Sequence, residues 1–159
     1  MKNKNVNIES ITTMYRIFGG KIAFTNGVFD LLHCGHVDCL RKAREYGHLI
    51  VAINSDNSVR KIKGQHRPII LQDQRKYMLD SLSFIDHVFI FDELTPIDLI
   101  KKIKPDFLIK GEDWTIDEIV GREFVESYGG KVINIPLIEG ISTTKIIEKC
   151  KNHTNLEDY

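Results

Sequence analysis

The chain has 159 residues, 42% of them hydrophobic, with 22 lysines and arginines against 22 aspartates and glutamates. That length suits one hydrophobic core and leaves no room for a second. The balance of charge excludes a global field that would hold the chain on nucleic acid or an anionic membrane, so any anionic ligand must be gripped locally. No apolar run approaches the ~20 residues that span a bilayer, and the N-terminal MKNKNVNIES has no signal-like apolar stretch. A cytoplasmic protein is therefore expected. Cys34, Cys39 and Cys150 form no CxxC pair and read as reduced thiols rather than a disulfide framework.

In chain order, residues 1–20 read as an N-terminal helical extension with a helix near Ile8 to Phe18. A main domain over 21–150 follows, then a polar tail at 151–159 that looks prone to fray. Strands are expected at KIAFTN (21–26), HLIVAIN (48–54), HVFIF (87–91), DFLIK (106–110) and KVINIP (131–136). Most are apolar along their whole length, the pattern of strands covered on both faces. Helices are expected near His36 to Tyr46, Leu71 to Leu82, Pro96 to Ile103, Ile116 to Tyr128 and Ser142 to Cys150. Alternating strands and helices of this kind predict a three-layer, Rossmann-like, doubly wound α/β domain with a parallel five-stranded sheet. Ligands of such sheets sit beyond the carboxyl ends of the strands, where the strand order reverses.

At the end of the first predicted strand stands TNGVFDLLHCGH, residues 25–36, with two histidines three positions apart. His33, Cys34, His36 and Cys39 are all capable zinc ligands, but no second ligand pair follows at a distance, so zinc is not expected. No GxSxG elbow supports a nucleophile and base, and two histidines that merely cap or pack at a helix start are the plain alternative. A phosphate site accounts for more of the residues. Gly27 and Gly35 allow close backbone approach, a helix start directs N–H groups at an anion, and imidazoles there can donate to phosphate oxygens. Neither GxxxxGK[ST] nor GxGxxG occurs in the chain. A second anion site is suggested by ISTTKII at 141–147, where Ser142, Thr143 and Thr144 precede Lys145 at a predicted helix start. Three hydroxyls and a lysine exceed what a simple cap requires.

These two segments together resemble the HxGH and carboxyl-terminal signatures of the nucleotidyltransferase superfamily, the cytidylyltransferase-like enzymes. AINSDNSVRKIKGQHRPI, DQR, TPIDLIKKIKPDFLIKGEDW, EIVG and GGKVINIPLIEGISTTKII narrow the similarity, from about Lys21 to Lys149, to the adenylyltransferase half of bifunctional ADP-heptose synthases. The kinase half has no counterpart, so a stand-alone form is expected. The resemblance implies transfer of AMP from ATP to D-glycero-D-manno-heptose 1-phosphate, with Mg²⁺ on the nucleotide phosphates and a homodimer. The alternative is a CTP-dependent cytidylyltransferase acting on glycerol 3-phosphate or another sugar or polyol phosphate. Its signature shares EGISTTKI but has an arginine where this chain has Leu137.

By the same resemblance His33, His36 and Lys63 are the catalytic candidates, with Lys63 reaching the phosphates from a mobile loop. Thr25, Asn26, Gly27, Val28, Phe29, Gly35, Lys110, Gly111, Asp113, Ile141, Ser142, Thr143 and Thr144 are expected to bind the nucleotide. Asp30 either faces the triphosphate through Mg²⁺ or fixes its loop by accepting backbone N–H bonds. Arg75 either binds phosphate or pairs with Asp73 or Asp106, and Trp114 is either a wall of the site or plain packing.

Overall fold

The computed structural model describes residues 7–112 and 115–152, with Ile116 described by its backbone alone. Five strands form one sheet: β1 (Ile22–Gly27), β2 (His48–Asn54), β3 (His87–Phe91), β4 (Phe107–Gly111) and β5 (Lys131–Ile135). Every neighbouring pair is parallel and the order is β3-β2-β1-β4-β5. The chain builds outward from β1 through β2 to β3, then crosses over to β4 on the other side of β1. The strand order therefore reverses between β1 and β4, whose carboxyl ends carry Asn26, Gly27, Lys110 and Gly111.

Among the described residues the helices are α1 (Ile8–Ile17), α2 (Cys34–Arg44), α3 (Asp56–Lys63), α4 (Gln72–Asp80), α5 (Ile97–Ile103), α6 (Arg122–Ser127) and α7 (Thr143–Asn152). Side chains of a strand alternate between faces, and β1 shows the result. Ile22 and Phe24 join α1, α5 and α6 in one core, whereas Ala23 joins α2 and α4 in the other. The expected three-layer doubly wound sheet is what the chain forms. Helix α1 is part of this packing, because Ile11 and Tyr15 are buried in the first core.

Four local expectations change. Residues 56–63, expected to be irregular, form α3, capped by the Ser55 side chain and ending at Gly64 with φ +92°. Lys63 is thus the last residue of a helix, not a loop residue. The single helix expected over 116–128 is a 3-10 turn (Ile116–Glu118) followed by α6, divided at Gly121 with φ +92°. Helix α2 opens at Cys34, earlier than expected, with His33 as its N-cap. Helix α7 continues through Asn152, into the span read as a fraying tail, and residues 153–159 lie outside the described residues.

The carboxyl edge of the sheet is organised by Arg75, which has no solvent exposure. Its guanidinium donates to the carbonyl oxygens of Ile70 (2.9 Å), Val28 (2.6 Å) and Asn54 (2.9 Å), and to the Asp56 carboxylate (2.9 Å). Arg75 therefore pairs with neither Asp73 nor Asp106. Asp106 is used at the opposite edge, where it accepts from Lys21 and from the Ile22 N–H. Truncating one partner of a buried pair leaves the other charge uncompensated, at a cost of about 3–5 kcal/mol. Arg75→Met should accordingly lower the thermal midpoint by at least about 6 °C in a chain of this size. Thermal unfolding followed by circular dichroism checks this, and a midpoint within a degree or two of the unsubstituted protein would contradict it.

Candidate active site

The β1 strand delivers the chain to the edge at Asn26 and Gly27, and a turn of six residues leads from there to α2. That turn is tight. Phe29 sits at φ +49°, where a residue with a Cβ is strained, and its ring folds back over Gly27. A Cβ on Gly27 would stand 2.9 Å from the Phe29 ring, so only glycine fits beneath it. The same ring meets His36 edge-on, with centroids 5.1 Å apart.

The two histidines form a stack, their ring centroids 3.7 Å apart and their planes within 16°. His33 caps α2 by accepting the His36 backbone N–H at Nδ1, 3.3 Å away. An imidazole that accepts at Nδ1 carries its proton on Nε2 when neutral, so the cap leaves Nε2–H as a donor. Burial lowers the His33 pKa. His36 is brought down to about 4, first by burial and then by the His33 charge, against a smaller opposing effect of the Leu31 backbone. Both rings are thus neutral donors near pH 7. His36 Nδ1 is buried without a partner among the described residues, a condition that a bound ligand or water relieves.

Gly35 lies between the histidines and is where the second motif arrives. A Cβ at Gly35 would stand 3.1 Å from His33 Nδ1 and 3.3 Å from the Ile141 methyl Cγ2. The start of the 141–147 segment therefore packs directly against the HCGH turn. Ser142 caps α7 by accepting the Lys145 N–H at 3.2 Å, and Thr143 opens the helix. Two helix N-termini, those of α2 and α7, meet beside the point where the strand order reverses, an arrangement suited to a polyanion.

Lys110 adds a cation at that point. From the end of β4 its ammonium reaches across to β1, donating to the Asn26 side-chain oxygen (2.5 Å) and backbone carbonyl (3.2 Å). Thr25 is buried in β1. Gly111 ends β4, and Val28 supplies the carbonyl that Arg75 holds. Thr144 and Lys63 are exposed to solvent. Asp113 and Trp114 fall outside the described residues.

Asp30, 1% exposed, has both oxygens engaged. One accepts from Arg67 Nε at 2.5 Å and the other from the backbone N–H groups of Ile69 (2.8 Å) and Ile70 (2.9 Å). Of its two expected roles, the geometry favours the loop anchor, and Arg67 is a partner that the sequence did not suggest. Arg75 likewise serves the fold of the edge in place of a phosphate. Among the described residues no group of three or more His, Cys, Asp and Glu could hold a metal, and no helix is long and apolar enough to cross a membrane.

The family model described as cytidylyltransferase-like matches residues 24–149, a span that contains both motifs and all five strands except the start of β1. The chain belongs to the cytidylyltransferase-like family. It is similar to the bifunctional protein HldE of Geobacter sulfurreducens, 49% identical over 150 residues that cover 93% of this chain and 31% of that protein. The HldE of Koribacter versatilis is 51% identical over 130 residues, 81% of this chain and 27% of that protein. The chain thus spans about a third of the length of these relatives. A crystal structure titled as the lipopolysaccharide core biosynthesis protein of Thermoplasma volcanium aligns with a TM-score of 0.62 at 26% identity. The alignment covers 76% of this chain and 98% of that one.

The depressed His36 pKa sets a pH dependence. A folded-state value of about 4 against the ordinary 6.5 means that the unfolded chain binds the extra proton first as pH falls. The stabilisation is complete above pH 6.5 and is lost as pH drops toward 4, by up to about 3 kcal/mol. His33 shifts in the same direction and adds to it. Urea denaturation of the ligand-free protein across this window should show the slope, and His36→Gln should flatten it.

Proposed function

We infer that this chain transfers AMP from ATP to a heptose 1-phosphate of the D-glycero-D-manno type, releasing pyrophosphate and an ADP-heptose. The observation that carries the nucleotidyl transfer is the packing of Ile141 against Gly35, which brings the two anion-binding helix starts and the stacked histidines to one place. The choice of acceptor is supported by the similarity to HldE proteins over nearly the whole chain, together with the resemblance of its middle segments to ADP-heptose synthases.

In the reaction an oxygen of the sugar phosphate attacks the α-phosphorus in line, and the bond to the β-phosphate oxygen breaks as pyrophosphate leaves. Such transfers ask the protein mainly for positioning and charge stabilisation. Neutral His33, with Nε2–H free, and His36 donate to phosphate oxygens whose charge grows in the transition state. The N-termini of α2 and α7 hold the polyphosphate, and Lys63 approaches from the end of α3. Bound with the nucleotide, Mg²⁺ would supply charge neutralisation on the phosphates. The residues present fit an ion carried mainly by substrate oxygens and water, since the Asp30 carboxylate is engaged elsewhere. We also take the working form to be a homodimer, on the resemblance drawn from the sequence, and its place to be the cytoplasm, on the composition.

CTP as donor, with glycerol 3-phosphate as acceptor, is the reading that the EGISTTKI segment keeps in play. Pyrophosphate release should be measured for four nucleoside triphosphates against sugar 1-phosphates and polyol phosphates. ATP with the heptose 1-phosphate is expected to give the highest kcat/KM, and turnover confined to CTP with glycerol 3-phosphate would transfer the assignment to a cytidylyltransferase. In the productive pair, His36→Ala should cost about 10² to 10³ in kcat. A His36→Ala protein with full turnover would remove His36 from the transfer step.

A further inference from the structure

The segment between α3 and α4 carries two observations that the nucleotidyl transfer does not use. It begins at Lys63, the exposed last residue of α3, and passes through Gly64 at φ +92°, where an added Cβ would meet nothing within 4 Å. It then docks on the turn that leads into the histidines. Asp30, three residues before His33, takes Arg67 Nε on one oxygen and the Ile69 and Ile70 N–H groups on the other. A turn bond from the Arg67 N–H to the Gly64 carbonyl (3.1 Å) closes the span between the glycine and the anchored arginine. Arg75 clamps the far end, holding the Ile70 and Val28 carbonyls on one guanidinium.

We propose that Asp30 and Arg67 are positioning residues that hold Lys63 over the polyphosphate site. The carboxylate joins the histidine turn to the 64–70 segment at its middle, so the only free length between the anchor and Lys63 is the Gly64 turn. Four residues of chain reach no farther than about 14 Å, and the closed turn shortens that. Lys63 is therefore confined near the turn that bears His33 and His36, with Gly64 as the joint that lets it advance on the ligand and withdraw. A 64–70 segment released from Asp30 would let the last turn of α3 fray, and Lys63 would then sample a larger volume and bind a phosphate less often.

The inference rests on the nucleotide-binding half of the proposed function and is indifferent to the acceptor. Its test is a double-mutant cycle of Lys63→Met and Arg67→Gln, read on the Kd of Mg²⁺-ATP and Mg²⁺-CTP by calorimetry. Arg67→Gln leaves the side chain's volume roughly in place and removes its charge, and thermal midpoints verify that each variant folds. Each single substitution should weaken nucleotide binding about tenfold, and the double should be no weaker than the worse single, because a displaced lysine has nothing left to lose. Effects that multiply would overturn the proposal. A second readout needs no ligand: tryptic cleavage of the Lys63–Gly64 bond, resolved by mass spectrometry, should be about tenfold faster in Arg67→Gln, and an unchanged rate would also overturn it. Coupled binding in a protein that adenylylates no sugar phosphate would refute the acceptor assignment and leave the positioning role intact.

Discussion

A single buried guanidinium determines the shape of the sheet's working edge. Val28 opens the turn after β1, Asn54 ends β2 and Ile70 lies just before α4, and the carbonyl of each accepts from Arg75. Buried carbonyls without partners would cost the fold dearly, and an arginine is suited to collect them because it offers five N–H groups in a fixed plane. Lysine, with three donors on a flexible stem, could not hold three turns in register. Asp56 compensates the buried charge, and it also joins α3 to α4 by exchanging bonds with Gln72: each backbone N–H is received by the other's side chain. The histidine turn, the start of α3 and the start of α4 thus form one unit, and the site inherits its rigidity.

On that support the two histidines are held stacked and uncharged. Two stacked imidazoles could not both become imidazolium cations with centroids 3.7 Å apart without strong repulsion, and burial lowers both pKa values. The free site therefore offers neutral donors and helix N-termini. A polyphosphate reverses the balance, because an anion beside the rings favours their charged forms. In the proposed transfer, the negative charge that develops would draw a proton toward the pair and strengthen its donors in the transition state.

The parts of the molecule written in local pattern were legible beforehand. All five strands stand where apolar runs bounded by polar or turn residues placed them, within a residue or so, since a strand buried on both faces has few ways to look like anything else. The meeting of the two motifs was also readable, because both follow strands and a parallel sheet sends every such end to the same edge. Helix α3 was missed for a physical reason: SDNSVRKIK has one buried apolar position, Val59, so it shows no apolar stripe. Its signals were the Ser55 cap, Asp56 in the first turn and the basic last turn. That Asp30 fixes its loop through backbone N–H groups was one of two readings, but which groups it and Arg75 hold was not legible. They are mostly backbone groups far away in sequence, and a carbonyl or an amide leaves no mark in the letters. Even Asp56, the one side-chain partner of Arg75, was passed over for Asp73 and Asp106.

Two carboxylates, Asp30 and Asp56, can stand beside the proposed polyphosphate site because their charge is engaged. An unpaired carboxylate about 4 Å from a phosphate charge would oppose it by roughly 4 kcal/mol at an effective dielectric of 20, enough to defeat the donors gathered there. Asp30 and Asp56 avoid this because each faces an arginine, Arg67 and Arg75 respectively, and each also caps backbone N–H groups. Their charge is spent inward on holding the turns. Lys63 is left exposed at that edge, so a chain with no net charge keeps a cation there whose charge no carboxylate of the described turns takes up.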